Sequence, residues 1–227
     1  MEAVVALAEL GRRAVAPFDR GRVLQDAVEI VAATLHVEHV TVLELAPEGD
    51  DVRLRAGVGW AEGVIGRTVD AMPGGYVAFT LASATPVVVE DLEHETRFEG
   101  SPVLLEMGVR STVALRIPGI GERPFGVVGV HATELREFST KDLTFLEGVA
   151  TILASAIARH RQAIEINDEI LQTLILAHYA LEQGRPDALG LLDQAIEQTR
   201  GLISGLLGPP LPGDLRRGAP AAPPPPA

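Results

Sequence analysis

Residues 139–183 form a long stretch without proline in which apolar or core-tolerated residues recur at alternating steps of three and four. The positions are Leu143, Leu146, Ala150, Leu153, Ile157, His160, Ile164, Asn167, Leu171, Leu174, His178 and Leu181. This heptad seam of about six repeats predicts one long helix that pairs with another copy of itself. Gly184 and Pro186 end the pattern, and the next apolar seam predicts a second helix to about Leu207. The short connection between them predicts an antiparallel helical hairpin.

The part of the chain before this helix switches between helical and strand patterns. Helices are predicted at 2–15, 22–35, 76–82 and 101–108, and strands at 39–45, 52–56, 86–90, 109–117 and 125–131. The first helix is expected to stop at Pro17, and a turn at 47–50 joins the first two strands. Outside its short helix, the glycine-rich segment 57–80 is predicted to be too irregular for a strand. This order of elements predicts an α+β domain with a largely antiparallel central sheet flanked by helices.

Composition narrows the range of functions. The 227 residues carry a formal net charge of -12, and the 19 basic residues form no cluster, so neither a nucleic-acid surface nor an anionic-membrane surface is predicted. The chain has no cysteine, which excludes disulfides, thiolate metal sites, a Cys nucleophile and a thioether-linked bilin, and no other metal site is predicted. No apolar stretch approaches the ~20 residues that cross a bilayer, and the acidic N-terminus does not look like a signal peptide. We therefore expect a cytoplasmic protein without a membrane span.

Three segments carry a resemblance to a known family. They read DLEHETRF from Asp91, GVRSTVALRIPG from Gly108 and PFGVVGVHATELREFSTKDLTFLEGVATILASAI from Pro124. Together they resemble a GAF domain of the bacterial signalling type over about residues 20–160. The resemblance implies a central sheet of five or six strands, a pocket enclosed by loops on one face, and terminal helices that form a parallel dimer.

The sequence leaves the identity of the ligand of such a pocket open. Members of the family bind cyclic nucleotides, bilins, haem, flavin-like or other small molecules, and some have no known ligand. This sequence lacks the cysteine that a bilin needs and the NKFDE-type signature of cyclic-nucleotide-binding members. A loop-walled cavity is expected where the chain is irregular, in segments 57–80 and 91–108.

Candidate ligand-binding residues lie in these segments and in the strands that follow. They are Trp60, Phe79, His94, Phe98, Met107, Arg110 and His131. The apolar side chains among them fit a ligand wall or the ordinary closing of a core, and the second role is the commoner one. Arg110 suits an anionic ligand or one of the chain's many acidic side chains. His94 and His131 are candidate axial ligands of haem, and a structural role is the alternative.

The string EINDEILQTLILAHYALEQG resembles the first helix of the dimerisation and phosphotransfer module of histidine kinases. In that motif a phosphoacceptor His precedes an acidic residue, and a Gln orients water in the phosphatase reaction. The matching positions here hold Asn167, Asp168 and Gln172. An amide has no nucleophilic ring nitrogen, so the acceptor position is degenerate and no catalytic residue is assigned.

Two packing arrangements of the hairpin are open. In a two-stranded coiled coil Asn167 would lie in the seam, whereas in a phosphotransfer-like bundle it would face solvent. The breadth of the apolar stripe favours the second arrangement, a dimeric four-helix bundle made from two hairpins. Its inward-pointing residues would be Ile166, Ile170, Leu174, Ala177 and Leu181.

The sequence thus predicts four parts. They are an N-terminal helix (1–18), a GAF-like sensor domain (19–160), a helical hairpin (161–207) and a disordered proline-rich tail (208–227), with the helix 139–183 shared between the sensor and the hairpin. We expect a non-catalytic homodimer that senses a small ligand or binds a protein, with a receiver-domain or kinase protein as the partner class. The alternatives are a phosphatase that acts on a receiver through Asp168 and Gln172, and a haem-based sensor.

Overall fold

The computed structural model describes residues 2–15, 19–46, 51–69, 73–119 and 121–207. The helices are α1 (Ala3–Val15), α2 (Arg20–Leu35), α3 (Tyr76–Ala82), α4 (Pro102–Glu106), α5 (Thr140–Glu182) and α6 (Ala188–Leu207), with a 3-10 helix at Leu92–His94. The strands are β1 (His39–Leu45), β2 (Val52–Val58), β3 (Thr68–Val69), β4 (Val87–Val89), β5 (Ser111–Ile117) and β6 (Gly126–Ala132). Pro17, the turn at 47–50 and the predicted disordered tail at 208–227 lie outside the described residues.

The chain divides into two compact units, residues 1–161 and 162–227. The first unit contains α1 to α4, the sheet and the first half of α5, and the second contains the remainder of α5 with α6. The predicted long helix is present as α5, a continuous helix of 43 residues. Among the described residues, no helix combines the length and the apolar character that a membrane span requires.

The sheet of the first unit is antiparallel throughout, with the strand order β3-β2-β1-β6-β5-β4. The five predicted strands are all present, which confirms the α+β architecture of a central antiparallel sheet with flanking helices. The prediction that segment 57–80 contains no strand is wrong, because Thr68 and Val69 pair with Arg53 and Val52 at one edge of the sheet. Two residues are too few to show an alternating pattern.

The two faces of the sheet carry different layers, because alternate residues of a strand point to opposite sides. On one face, Val40, Val42 and Val130 lie in a buried apolar cluster with residues of α1, α2 and the first half of α5. On the other face, Leu43 and Val127 belong to a second cluster with residues of α3 and α4. Neighbouring residues of one strand therefore contact different layers of the unit.

The first half of the predicted heptad seam is used inside the first unit. Leu146 and Leu153 are completely buried, and Ala150 is almost so, all within the cluster on the helical face of the sheet. The expectation that these positions pair with another copy of the chain is therefore wrong. A helix face that packs on a sheet and a coiled-coil seam both repeat about every 3.5 residues, so the pattern alone does not separate them.

The two ends of α5 show the capping that the sequence predicts. The backbone N–H of Ser139 donates to Asp142 Oδ2 at 2.9 Å, and the backbone N–H of Asp142 donates to Ser139 Oγ at 3.3 Å. This reciprocal pair satisfies two donors at the helix start. After the last turn, Gly184 adopts a φ of 64°, the left-handed conformation that only glycine takes without a steric penalty.

The second unit buries small side chains and leaves large ones at the surface. Among the described residues of this unit, the buried ones are Thr173, Ala177, Ala180, Ala188 and Ala195. The side-chain amide of Gln198 in α6 donates to Glu169 Oε1 in α5 at 3.0 Å. Leu174 and Leu181, two of the residues expected to point inward, are 42% and 51% exposed in the single chain. Ile170 is half-buried, and the side chain of Ile166 is not among those described.

Candidate ligand-binding cavity

A cavity of about 390 Å³ opens in the first unit, on the sheet face that carries α3 and α4. It is lined by Thr41, Leu43, Leu54, Trp60, Val64, Arg67, Thr68, Tyr76, Val77, Thr80, Ser101, Val103, Leu104, Ala114, Val127, Gly129 and His131. Both irregular segments, 57–80 and 91–108, contribute to this lining. The volume falls in the range of known small-molecule sites, and apolar residues with a few polar groups are the usual lining of such sites.

The floor of the cavity is a chain of hydrogen-bonded side chains from β1, β5, β6 and α3. Thr112 Oγ1 donates to the carbonyl oxygen of Val130 at 2.9 Å. The same Thr112 oxygen lies 2.9 Å from Tyr76 Oη and 2.7 Å from His131 Nδ1. On the other side of the imidazole, Thr41 Oγ1 lies 3.1 Å from His131 Nε2. All four side chains are almost fully buried, so each polar atom depends on this network for its partners.

This geometry assigns the proton positions along the floor. A hydroxyl has one proton, and a backbone carbonyl only accepts, so Thr112 accepts from both Tyr76 and His131. His131 therefore carries its proton on Nδ1, and its Nε2 accepts from Thr41. Burial first, and the charge of His39 second, lower the pKa of His131 from 6.5 to about 3, so the imidazole is neutral at pH 7. Burial likewise raises the pKa of the Tyr76 phenol, which stays protonated.

Gly129 and Trp60 shape the space around the floor. A Cβ atom at Gly129 would lie 2.8 Å from Thr41 Oγ1 and 3.0 Å from the imidazole of His131. The indole Nε1–H of Trp60 donates to the carbonyl oxygen of Val40 at 3.1 Å. The indole meets the His131 ring edge-on, with 6.4 Å between ring centroids. Trp60, the single tryptophan of the chain, is thus held at the cavity wall.

The apolar candidates from the sequence fall into two groups. Trp60 lines the cavity. Phe79 and Phe98 are not among the lining residues; their rings stack next to the cavity wall, with 5.1 Å between centroids. Met107 packs half-buried against the second apolar cluster, to which Phe98 also belongs. Phe98 and Met107 thus occupy positions that suit the ordinary closing of the core, whereas Phe79 is 36% exposed.

Of the polar candidates, His131 lines the cavity, whereas Arg110 and His94 lie outside it and contact Asp91. The Arg110 guanidinium donates to Asp91 Oδ2 at 3.0 Å, and His94 Nδ1 lies 2.9 Å from the same oxygen. The bond from Arg110, followed by that from His94, lowers the pKa of the Asp91 carboxyl. Arg110 therefore takes the structural alternative, an ion pair with an acidic side chain of the chain itself.

The neighbourhood of Asp91 also brings together three groups that can ligate metals. Donor atoms of Asp91, Glu93 and His94 lie within 4.8 Å of one another. A cation placed among them would meet the Arg110 guanidinium, which lies 3.0 Å from Asp91 Oδ2 and 3.7 Å from Glu93 Oε2. Because Arg110 already supplies the positive charge, the arrangement is that of an ion-pair network rather than a metal centre.

The residues present do not fit axial ligation of haem. Both ring nitrogens of His131 are engaged, Nδ1 with Thr112 and Nε2 with Thr41. His94 is exposed and lies outside the cavity lining. Neither candidate histidine presents a free ring nitrogen to the cavity, which is what a haem iron would need.

The sequence does not single out several residues of the site. They are Thr41, Tyr76, Thr112 and Gly129. The only signal for Thr41 and Thr112 is a hydroxyl in a strand of mostly apolar residues, since a buried hydroxyl requires a partner. Nothing in the local sequence shows that these hydroxyls meet the same histidine.

Asn167, Asp168 and Gln172, the positions of the phosphotransfer motif, are all exposed on α5 in the second unit. Asn167 lies four residues before Leu171 and seven before Leu174, so the three share one side of the helix. This side carries exposed leucines, and the asparagine is therefore both exposed in the single chain and part of the apolar stripe.

The family model described as "GAF domain" matches residues 19–157, more than half of the chain. The chain therefore belongs to the GAF domain family. GAF domains commonly serve as sensor and signalling domains.

Solved GAF domains share this fold at low sequence identity. The GAF domain of a phosphoenolpyruvate-protein phosphotransferase from Coxiella burnetii has a TM-score of 0.64 at 18% identity, covering 72% of this chain and 96% of that chain. The corresponding domain from Acinetobacter has a TM-score of 0.61 at 18% identity, covering 70% and 94%. A phycocyanobilin-bound GAF domain from a cyanobacterial phytochrome has a TM-score of 0.58 at 19% identity, covering 70% and 95%. No curated protein sequence matches the chain. At these identities the likeness concerns the fold alone.

Proposed function

We propose that this protein is a non-catalytic signalling module in which the GAF cavity binds a small ligand and α5 carries the effect to a dimerising hairpin. The observation behind the proposal is the cavity of about 390 Å³ with its apolar wall and buried polar floor. A concave site of this size with a few convergent polar groups is the usual form of a small-molecule site.

The sheet supplies the coupling between the cavity and α5. Thr41 and His131 line the cavity, and Val40, Val42 and Val130, their neighbours in β1 and β6, lie in the cluster that contains the first half of α5. A close-packed core transmits small displacements, so a ligand that moves the floor changes the packing against α5. The size of the response is limited by the difference in the ligand's affinity for the two arrangements.

A second copy of the chain is the partner that we propose for the hairpin. We define the 164–181 stripe as Ile164, Asn167, Leu171, Leu174, His178 and Leu181, which follow one another at steps of three and four. The four apolar side chains of the stripe are between 42% and 51% exposed. An apolar stripe with this spacing is complementary to itself, and pairing two hairpins along it gives a four-helix bundle.

The non-catalytic role rests on the residue at the acceptor position. Asn167 has no ring nitrogen that could take a phosphoryl group. The resemblance of the hairpin to a phosphotransfer module supports a receiver-domain or kinase protein as the further partner class. In a dimer seam, a polar Asn167 would set the register of the two helices at some cost in stability.

Native mass spectrometry of the full chain tests the dimer and any retained ligand together. We expect a dimer for the wild type, and a monomer for Leu174→Glu, which places a charge in the 164–181 stripe. Leu135→Glu is the matched control, because Leu135 is 62% exposed and lies in the first unit; this variant should remain dimeric. A wild-type monomer at micromolar concentration, or a Leu174→Glu variant that dimerises normally, contradicts the proposal.

A further inference from the structure

We propose that the cavity selects a neutral, mostly apolar molecule that carries a hydrogen-bond donor, such as an alcohol or an N–H heterocycle, and that it discriminates against anions. This inference rests on the proposed function and names the ligand class of the same site. It follows from counting the protons of the buried polar side chains at the floor and wall of the cavity; the other two hydroxyls of the lining belong to Ser101, which is half-buried, and Thr68, which is exposed.

The buried donors of the lining are already committed to partners within the protein. The protons of Tyr76 and His131 go to Thr112, and the Thr41 proton goes to His131 Nε2. Thr80 Oγ1 donates to the carbonyl oxygen of Tyr76 at 2.8 Å. The Trp60 indole N–H donates to the backbone as well. A ligand that reaches the floor therefore finds no buried side-chain donor among these residues.

Acceptor capacity remains on the same side chains. Each hydroxyl oxygen has two lone pairs, and Tyr76 Oη, Thr41 Oγ1 and Thr80 Oγ1 act only as donors in these hydrogen bonds. All three residues line the cavity and are at most 5% exposed. A ligand O–H or N–H group can donate to them without breaking any bond of the floor.

An acceptor group or an anion at the floor would be left without a partner. A carbonyl or carboxylate would face oxygen lone pairs and a neutral imidazole, so its loss of water would not be compensated. Among the described lining residues, the one cation is Arg67, and it is exposed. The competing possibility is an anionic ligand whose charged end stays at Arg67, and a carboxylate probe distinguishes it.

Three probes with one carbon skeleton test the ligand class. Borneol carries a donor, camphor is the same skeleton with an acceptor only, and bornane-2-carboxylate is the anion. Trp60 is the single tryptophan and lines the cavity, so its fluorescence reports binding at this site. We expect borneol to change the emission saturably and to bind at least about tenfold more tightly than camphor, because camphor leaves a buried carbonyl unpaired. The carboxylate should bind more weakly than both.

A pair of tyrosine variants locates the effect at the floor. Tyr76→Phe removes one free acceptor and should reduce the ratio of borneol to camphor affinity severalfold. Tyr179→Phe is the matched control, since Tyr179 is the other tyrosine of the chain and is exposed in the second unit. It should leave both affinities unchanged.

The outcomes separate this inference from the proposed function. Camphor binding as tightly as borneol, or a Tyr76→Phe variant with an unchanged affinity ratio, overturns the ligand class while the cavity remains a binding site. Preferred binding of the carboxylate overturns it in favour of recognition at Arg67. If none of the three probes changes the fluorescence of Trp60, both the ligand class and the ligand-binding role of the cavity are overturned. If the ratio is as expected but α5 does not respond, the ligand class stands and the coupling in the proposed function fails.

Discussion

Gly129 decides at the scale of a single residue whether the cavity floor can form. Thr41 and His131 approach each other on the side of β6 where any other residue would carry a Cβ atom. The hydrogen bond between them, 3.1 Å long, needs that space. The absence of a side chain at residue 129 is therefore as much a part of the site as the groups that line it.

We expect Gly129→Ala to destabilise the first unit by about 1–3 kcal/mol, because its methyl group overlaps two buried side chains. It should also abolish the response of Trp60 to borneol. Urea unfolding followed by Trp60 fluorescence measures the first effect. Gly11→Ala in α1 is the control, since a Cβ atom at Gly11 would meet nothing within 4 Å and alanine favours a helix. Equal stability of Gly129→Ala and the wild type would contradict the proposed floor.

The neutral state of His131 makes stability depend on pH in a defined window. Between the folded pKa of about 3 and the unfolded value of 6.5, the unfolded chain binds a proton that the folded chain does not. Stability therefore falls as the pH is lowered through this window, and His131 has no such effect above it. From about pH 6.5 to about pH 5.5 we expect the free energy of unfolding to fall by about 1 kcal/mol.

The control for this pH dependence is His131→Gln, whose amide can retain hydrogen bonds but does not titrate. Urea unfolding at a series of pH values gives the slope of the free energy of unfolding against pH. Within the window, this slope should be smaller for the variant than for the wild type by the equivalent of nearly one proton. Glu95, whose pKa is lowered from 4.5 to about 2 chiefly by the hydrogen bond from Arg97, changes stability mainly below about pH 4.5 and so leaves the interval from about pH 6.5 to about pH 5.5 to His131. Identical slopes for the two proteins would show that His131 is charged in the folded state or solvated.

A substitution of Gln172 tests the proposal that the protein is not a phosphatase. We expect phosphate release from a receiver domain phosphorylated with acetyl phosphate to be equal with the wild type, with Gln172→Ala and with neither protein. The physical reason is that an exposed amide on a helix surface does not by itself hold a water molecule for attack. Faster release with the wild type that Gln172→Ala removes would establish the phosphatase alternative instead.

At the scale of an element, α5 shows how one heptad pattern serves two different packings. Leu146 and Leu153 are buried in the cluster against the sheet, whereas Leu171 and Leu174 continue the same spacing at the surface of the second unit. The sequence predicts the helix and both of its ends. It does not predict which part of the apolar face lies inside the chain, because that depends on elements far away in sequence.

The cap of α5 gives a test at the scale of an element. Ser139→Ala removes one half of the reciprocal cap with Asp142 and should lower the stability of the first unit by about 1 kcal/mol. Ser155→Ala is the matched control, because its hydroxyl only donates to the Thr151 carbonyl inside the helix, at 2.9 Å. Thermal or urea unfolding read by Trp60 should place this variant within about 0.5 kcal/mol of the wild type. If both variants lose the same stability relative to the wild type, the cap does not contribute specifically to the stability of the first unit.

At the scale of the whole molecule, we propose that a ligand in the cavity of the first unit affects the 164–181 stripe of the second unit through α5, whose first half packs against the sheet. The proposed coupling predicts that a probe which saturates the emission of Trp60 also changes amide hydrogen exchange in residues 162–183. The reason is that residues facing the cavity and residues facing α5 alternate along the same strands. Hydrogen-exchange mass spectrometry with borneol, and with bornane-2-carboxylate as the control, measures this. Unchanged exchange in α5 under saturating borneol would refute the coupling.

The sequence by itself determined the family, the order of the elements and the long helix, because these follow from local periodicity, caps and contiguous motifs. It also excluded a thioether-linked bilin through the absence of cysteine. Only the tertiary structure decided the chemistry of the site. Thr41, Tyr76, Thr112 and His131 are far apart in the sequence and meet only through the register of β1, β5 and β6 and the packing of α3 on them. Local sequence patterns carry no information on strand register or proton positions. Only the fold therefore shows that the buried side chains of the cavity floor use their protons within the protein and keep acceptor capacity.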